Sequence, residues 1–495
     1  MTLMVGTLAS RATGLLRNSL LNQLFPKEIT DAFLVAYRVP NLFRELLAEG
    51  ALTNSFVPIY KSVDRDDAKR LSGALLGLLI LVNGLLILLA YWTAPWVVTL
   101  LISDRESVDV ALTVTLTRIV FPFLAAISFS ALAMGILNAE ERFLAPAWAP
   151  VALNIVTVTL MVLFPAQAVP LAIAFVLGGA AQVLVQLPAL ARYGLLPRLT
   201  GLWHPALPGV LLLMVPFALT TSGRQVLNVV SSRVLTSLER GSVTAFSNAD
   251  LFLSLALGLF SISPALAYYS RLSDNAVRDP GQFPLTLLEG LRLITFLTVP
   301  AGLALWLLAE PAVHVVFNYL SLVGRGLDEA RLGLSVAATT PLGLAVFPLG
   351  VFNLLVRTFY VRKAVRIPIA VILVFLGLQA LLYWQLALRF GIVGMSWATV
   401  VVGWSQCLVL LVLVRSRERF ALATFLRYVV IIWLVAGLAA VGVWLSLQAI
   451  GFPAGWWGFF GQALTGLLLL IALYLGAGTV LGVTEARRLF GRIRG

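Results

Sequence analysis

Residues 71–101 contain no Asp, Glu, Lys or Arg. A helix crosses the hydrocarbon core of a bilayer with roughly 20 apolar residues, so this run is long enough to span one. Comparable runs recur to the end of the chain. Short polar segments separate them, as at 61–70, 103–109, 270–282 and 415–419. Backbone polar groups in lipid must be satisfied within the segment, which a helix does locally. The reading is therefore an all-α integral membrane protein of about fourteen transmembrane helices. They fall near 3–26, 32–60, 71–101, 109–138, 146–164, 168–191, 208–236, 243–270, 284–309, 332–360, 366–388, 392–414, 424–449 and 456–482. The longest connection, 310–331, has room for a short surface helix.

Composition agrees. Of 495 residues, 60% are hydrophobic and 12% charged, where a soluble protein is about half apolar and a quarter charged. No sizeable soluble domain fits. The net charge of +13 raises the question of nucleic acid, but Lys and Arg sit mainly in short loops. They form no continuous basic face and no aromatic-basic binding module, so nucleic acid is not expected as a partner. Counted from a cytoplasmic N-terminus, the inner loops and the C-terminal tail hold twenty basic residues against six in the outer loops. That asymmetry predicts both termini on the cytoplasmic side. Cys407 is alone in an apolar run and reads as a small buried hydrophobe. His204 and His314 lack metal-ligand spacing, so no metal is expected. Arg11 and Arg17 interrupt the first apolar run, which argues against a cleaved signal peptide.

The informative charges are those inside spans, where each costs about 2.5–3.5 kcal/mol or more and normally faces a cavity or a partner. Arg118 and Arg292 lie near helix ends and can snorkel. In the second span Arg38, Asn41, Arg44, Glu45 and Glu49 share an arc of about 140° at 100° per residue. Two readings stand: ion pairs that lock helices together, or the wall of a water-filled cavity. In the first span Arg11, Gly14, Asn18 and Asn22 form one stripe with Arg17 beside it. Four arginines against Glu45 and Glu49 leave a cationic surplus. Arginine keeps its proton in poor solvent and grips phosphate with a bidentate fork, so such a lining suits a phosphate or pyrophosphate. Gln225, Asn228 and Ser232 in the seventh span, with Arg224 and Arg233, and Asn248 and Asp250 in the eighth, offer a further polar wall. Isolated Asn and Ser also serve helix packing. A weak internal repeat pairs 135–138 followed by Pro146 with 350–353 followed by Pro368.

The stretch Ser10-Arg11, Gly14 to Arg17, Thr30-Asp31-Ala-Phe33, Arg38-Val-Pro-Asn41-Leu-Phe-Arg44, Ala48-Glu49-Gly50-Ala51 and Phe56-Val-Pro58 resembles the N-terminal signature of the MurJ (MviN) lipid II flippase family. Weaker similarity continues through 135–143, Pro146, Ala149-Pro150, Asn154, Gly241 to Val243, Ala249-Asp250, Phe359-Tyr360 and Arg362.

The resemblance implies the fold of the multidrug/oligosaccharidyl-lipid/polysaccharide superfamily, with two six-helix lobes around a central cavity. On that basis 1–200 is the N-terminal lobe and 201–420 the C-terminal lobe. Residues 421–495 would supply helices thirteen and fourteen, a groove for a lipid tail, and a basic tail. It implies an inner-membrane transporter rather than an enzyme. The expected cargo is lipid II, undecaprenyl-pyrophosphate carrying a disaccharide-pentapeptide, and the expected partners are membrane lipids and the cell-wall synthesis machinery. The family's essential basic positions fall on Arg11, Arg17 and Arg44, and its polar partners on Asp31, Asn41 and Glu49. Arg38, Asn18, Arg224, Arg233 and Asp250 complete the expected substrate-binding set. Two departures stand out. Leu251 occupies a position where the family places arginine, a charge that Arg224 or Arg233 is positioned to replace. The acidic seventh-span residue of sodium-binding members aligns with Ser232, with only Gln379 in the eleventh span. No cofactor is expected, and coupling to the membrane potential or a monovalent cation stays open. A flippase for another polyprenyl-linked oligosaccharide, or another exporter of the superfamily, is the alternative.

Overall fold

The computed structural model describes residues 2–47, 52–104, 107–199, 201–418 and 420–487, with side chains described except at 2–5, 7–8, 43, 45–47, 53–54 and 215–224. The described residues form helices and no strand. Ten helices among them are long and apolar enough to cross a membrane. Packing divides the chain into two units, 1–244 and 245–495.

Unit 1 contains α1 (Thr2–Leu24), α2 (Lys27–Leu47), α3 (Thr53–Ser62), α4 (Arg65–Leu101), α5 (Val110–Val120), α6 (Phe123–Ala139), α7 (Leu144–Leu163), α8 (Ala168–Arg192) and α9 (Leu207–Leu235). Its helix starts follow from local chemistry. Asp64 accepts from the amides of Asp66 and Asp67 to cap α4, and Asp109 accepts from Leu112 N to cap α5, satisfying donors that the helix leaves open. Pro122, which cannot donate a backbone hydrogen bond, marks the break between α5 and α6. α7 and α8 run close together because Gly178 faces Thr157 Oγ1 and Leu153 O, where a Cβ would stand 2.6 and 2.9 Å away.

Unit 2 takes most of α10 (Ser242–Leu257), a π-helical turn (Gly258–Ile262), α11 (Ser263–Arg278), α12 (Phe283–Leu307), α13 (Ala309–Phe317), α14 (Glu329–Leu342), α15 (Val346–Val361), α16 (Arg366–Glu418), α17 (Leu422–Ala449) and α18 (Trp456–Val480). The 53-residue α16 is two arms joined at Gly391, whose φ of 58° and ψ of −141° turn the chain sharply. The arms come back together where Tyr383 Oη meets Thr399 Oγ1 at 3.0 Å. Leu287, Leu291 and Ile294 of α12, Leu354 of α15, and Ile432 and Val435 of α17 are buried in one core. The 310–331 connection holds α13, which is not a surface helix: Val313 and Phe317 are buried against Leu332. An apolar stripe needs such cover.

Two arginines read as snorkelling have fixed partners. Arg118 donates to Tyr91 O at 3.0 Å and lies over that ring. Arg292 Nε is 3.3 Å from the Glu485 carboxylate and its guanidinium lies over Tyr428, whose hydroxyl donates to the same carboxylate at 2.9 Å. The repeat also takes another register. The turns after α6 and α15 close alike: Glu141 and Lys363 adopt φ of 59° and 55°, followed by Arg142 N→Leu137 O and Ala364 N→Phe359 O bonds of 2.8 and 2.9 Å. Asn138 is the penultimate residue of α6, whereas Asn353 lies two turns before the end of α15, so the 135–138 and 350–353 motifs do not superimpose about these turns.

Gly302 of α12 and Gly343, just after α14, face each other. A Cβ on Gly302 would meet Gly343 O at 2.4 Å, and one on Gly343 would meet Gly302 O at 2.5 Å. Small residues permit such backbone approach in membrane bundles. Gly302→Ala should therefore lower thermal stability of the detergent-solubilised protein by about 1–3 kcal/mol, the usual cost of overpacking. Gly377→Ala, with open space around its Cβ position, serves as the comparison in the same melting experiment.

Candidate functional site

The centre of the site is Arg17, two-thirds of the way along α1. Its Nη1 donates to Asn154 Oδ1 of α7 at 3.0 Å, and its Nε and Nη2 reach Asn18 Oδ1 at 3.4 and 3.2 Å. Its guanidinium lies 5.2 Å from the ring centroid of Phe175 in α8. Phe175 is held by Phe33 and Tyr37 at 4.7 and 5.1 Å. Asn154 is aimed in turn, because its Nδ2 donates to Ser10 O and Thr13 Oγ1 at 3.2 and 3.0 Å. These partners of Arg17 are amide oxygens and an aromatic face. They fix the guanidinium without neutralising it.

The second helix contributes four expected residues, Asp31, Arg38, Asn41 and Arg44. Arg44 donates to Asn41 Oδ1 at 2.8 Å, one turn back, and lies close enough to Arg17 for their charges to act on each other. Arg38 points to α9, where it donates to Asn228 O at 3.3 Å and to Ser232 Oγ. Asn228 donates in turn to Gln225 Oε1 at 3.2 Å. The polar stripe of α9 thus binds α2 directly. Arg11, one and a half turns before Arg17, is exposed.

Asp31 is buried at 2% exposure and does different work. Its carboxylate accepts from Gly241 N at 2.6 Å, from Thr244 N at 2.9 Å, and from the Thr244 hydroxyl. Thr30 joins through its hydroxyl, 3.0 Å from that of Thr244. The carboxylate meets the positive end of the helix dipole and binds the start of α10 to α2.

The remaining expected residues are dispersed. Arg233 is exposed and donates to Leu100 O near the end of α4 at 3.1 Å. Asp250 lies in unit 2 and is exposed. Glu49 lies outside the described residues, as do the side chains of Glu45 and Arg224. Leu251 packs against Val313, Phe317 and Leu332, so its position is absorbed into apolar packing. Gln379 donates to Tyr383 Oη at 2.8 Å, bridging the arms of α16 with Thr399. No cluster of three or more His, Cys, Asp or Glu suited to a metal occurs among the described residues. Asn154 and Phe175 were not anticipated as site residues. A single amide in an otherwise apolar run was the available signal for Asn154, and one more phenylalanine among many gave none for Phe175.

Unit 2 contains an apolar cavity of about 410 Å³, bounded by Phe260 of the π-helical turn, Pro300 and Ala304 of α12, and Leu467, Ile471 and Tyr474 of α18. The Tyr474 hydroxyl donates to Phe296 O at 2.8 Å, leaving the cavity wall greasy. α17 contributes nothing to this lining, being packed into the core with α12.

Residues 21–460 match the family model of the lipid II flippase MurJ. The chain belongs to that family. It is 32% identical over 510 residues to the lipid II flippase MurJ of Burkholderia cenocepacia, covering 97% of this chain and 96% of that protein. It is 31% identical to the probable lipid II flippase MurJ of Bdellovibrio bacteriovorus, with coverage of 98% and 94%. Among solved structures, the inward closed conformation of lipid II flippase MurJ superimposes with a TM-score of 0.80 at 21% identity, covering 97% of this chain and 99% of that one. An inward-facing multidrug resistance transporter of the MATE family, in the MOP superfamily, gives 0.67 at 16% identity over 83% and 94%. The MurJ family is one of multi-pass membrane transporters rather than enzymes, and the all-α membrane fold is the one expected.

The Asp31 geometry gives a direct test. Asp31→Ala removes the acceptor for two backbone amides and one hydroxyl, each orphaned donor costing about 1–3 kcal/mol. Amide hydrogen exchange at Gly241 and Thr244 should accelerate by at least about tenfold. Exchange unchanged at both amides would show that the cap carries no weight.

Proposed function

We propose that this MurJ-family protein carries lipid II from the cytoplasmic to the outer leaflet by alternating access, with the pyrophosphate held by Arg17, Arg44 and Arg11. The single observation that supports this best is the environment of Arg17: an oriented guanidinium whose described partners are uncharged. A diphosphate supplies the missing negative charge and accepts several of its N–H groups at once. Arg38 and Asn41 extend the polar face of α2, while Asp31 acts on the site through α10 rather than by touching the headgroup.

The polyprenyl tail stays in lipid, and the apolar cavity against α18 is of a character to take part of it. No covalent chemistry is involved. Partial neutralisation of the arginine charge by the headgroup is the event that permits the conformational change. With both termini cytoplasmic and the interior negative, outward movement of the anionic headgroup gains about 2.3 kcal/mol per charge for each 100 mV. The two lobes, the basic C-terminal tail, and coupling to the potential or to a monovalent cation belong to this proposal. Other polyprenyl-linked oligosaccharides share the pyrophosphate, and the N-terminal signature is what favours lipid II.

The test is complementation of a cell depleted of its own lipid II flippase. Wild type should restore growth, whereas Arg17→Ala and Arg44→Ala, inserted at normal levels, should not. Asn154→Leu should retain partial function, because it frees Arg17 without removing the charge. Failure of well-inserted wild type to rescue would exclude lipid II as cargo; full rescue by both arginine variants would exclude the anion site.

A further inference from the structure

One cavity lies apart from these residues, at the end of unit 1 where α6 turns into α7 and α8 terminates. It measures about 720 Å³ and is lined by Glu141, Arg142, Leu144, Trp148, Val185 and Arg192, among others. Both guanidiniums gather on one ring: Arg142 lies 4.1 Å and Arg192 5.9 Å from the centroid of Tyr193. The acid in the lining, Glu141, is 3.9 Å from Lys61. No ion pair of Arg142 or Arg192 occurs among the described residues. α7 begins at the same place without a side-chain cap, which adds the positive end of a helix dipole.

A turn in the second unit offers a contrast in which the arginine is paired. There the turn after α15 has the same left-handed residue and the same backbone bond, and α16 ends on Glu418 as α8 ends on Arg192. Arg362 of that turn grips Glu418 with both edges of its guanidinium, with Nε to Oε1 at 2.8 Å. In unit 1 the helix end supplies an arginine where unit 2 supplies a carboxylate. The correspondence stops at the backbone, since Glu140 stands where Arg362 does; Arg142 and Arg192 nevertheless line one cavity, with no ion pair of their own among the described residues.

We propose that this cavity binds the phosphate of an anionic membrane phospholipid, held between Arg142 and Arg192. The wall chooses a lipid over a soluble anion. Leu144 and Trp148 are 59% and 40% exposed beside the guanidiniums, and Val185 continues the apolar surface along α8. A charged head over an exposed apolar flank is the complement of an amphiphile, and basic pockets between membrane helices take such heads. The volume falls within the range of small-molecule sites. Tyr193 keeps both arginines extended by cation–π contact. The site uses none of the residues assigned to cargo.

The test is native mass spectrometry of the full chain released from detergent, titrated with phosphatidylglycerol and with phosphatidylcholine, alongside thermal shifts with inorganic phosphate. Phosphatidylglycerol should bind preferentially. Arg142→Gln with Arg192→Gln should weaken it by about thirtyfold, two arginine contributions of the usual size. Arg192→Glu should abolish it while leaving the melting temperature at or above that of wild type, because a carboxylate then faces Arg142 across the cavity in place of a like charge. This variant keeps the test decisive if the double substitution misfolds. Equal binding of the two lipids, or unchanged phosphatidylglycerol binding in Arg192→Glu, would overturn the proposal. Stabilisation by inorganic phosphate equal to that by phosphatidylglycerol would overturn the lipid assignment in favour of a soluble anion.

Discussion

A guanidinium placed among membrane helices must be compensated, and the way Arg17 is compensated governs the rest of this site. Its neighbours are the amides of Asn18 and Asn154 and the face of Phe175. These orient a cation and soften its desolvation without cancelling its charge. A carboxylate in the same place would have produced a lock, as Glu485 does for Arg292 and Glu418 for Arg362. The chain contains both solutions. The closed pairs hold elements of unit 2 together, and the open arginine lies in the helix that begins unit 1. Breaking a buried ion pair is strongly destabilising, so the closed pairs are poor candidates for transient binding, while Arg17 is suited to it.

Much of the fold was legible because membrane helices announce themselves by length and apolarity. Asp64 and Asp109 likewise mark helix starts through a purely local rule. Several features were not legible, for one common reason: their partners are distant in sequence. Asn154 is 137 residues from Arg17, and Gly241 is 210 residues from Asp31. No periodicity within a single helix can reveal such contacts. Asp31 shows the consequence most clearly, since a conspicuous acid in a polar span turns out to cap the first turn of α10. Arg38 is similar: the arc it shares with Asn41 and Arg44 was readable, but its attachment to Ser232 of α9 was not. Leu251 joins an apolar cluster with Val313 and Phe317, so this position is given to packing rather than to charge.

Comparison of the two units adds information that neither gives alone. The turns after α6 and α15 share a left-handed residue and a matching backbone hydrogen bond, yet one is sealed by a bidentate ion pair and the other presents two arginines.

The account rests on an Arg17 that is oriented by uncharged partners and takes its counter-charge from a diphosphate. The most direct measurement is the affinity of purified protein for undecaprenyl pyrophosphate, compared between wild type and Arg17→Gln in the same lipid nanodiscs. A hydrogen bond to a charged group is worth about 1.5–3 kcal/mol, so the account predicts a loss of at least about tenfold, with phosphatidylglycerol binding at the Arg142–Arg192 cavity unaffected. Equal affinity of the two proteins for undecaprenyl pyrophosphate would contradict it.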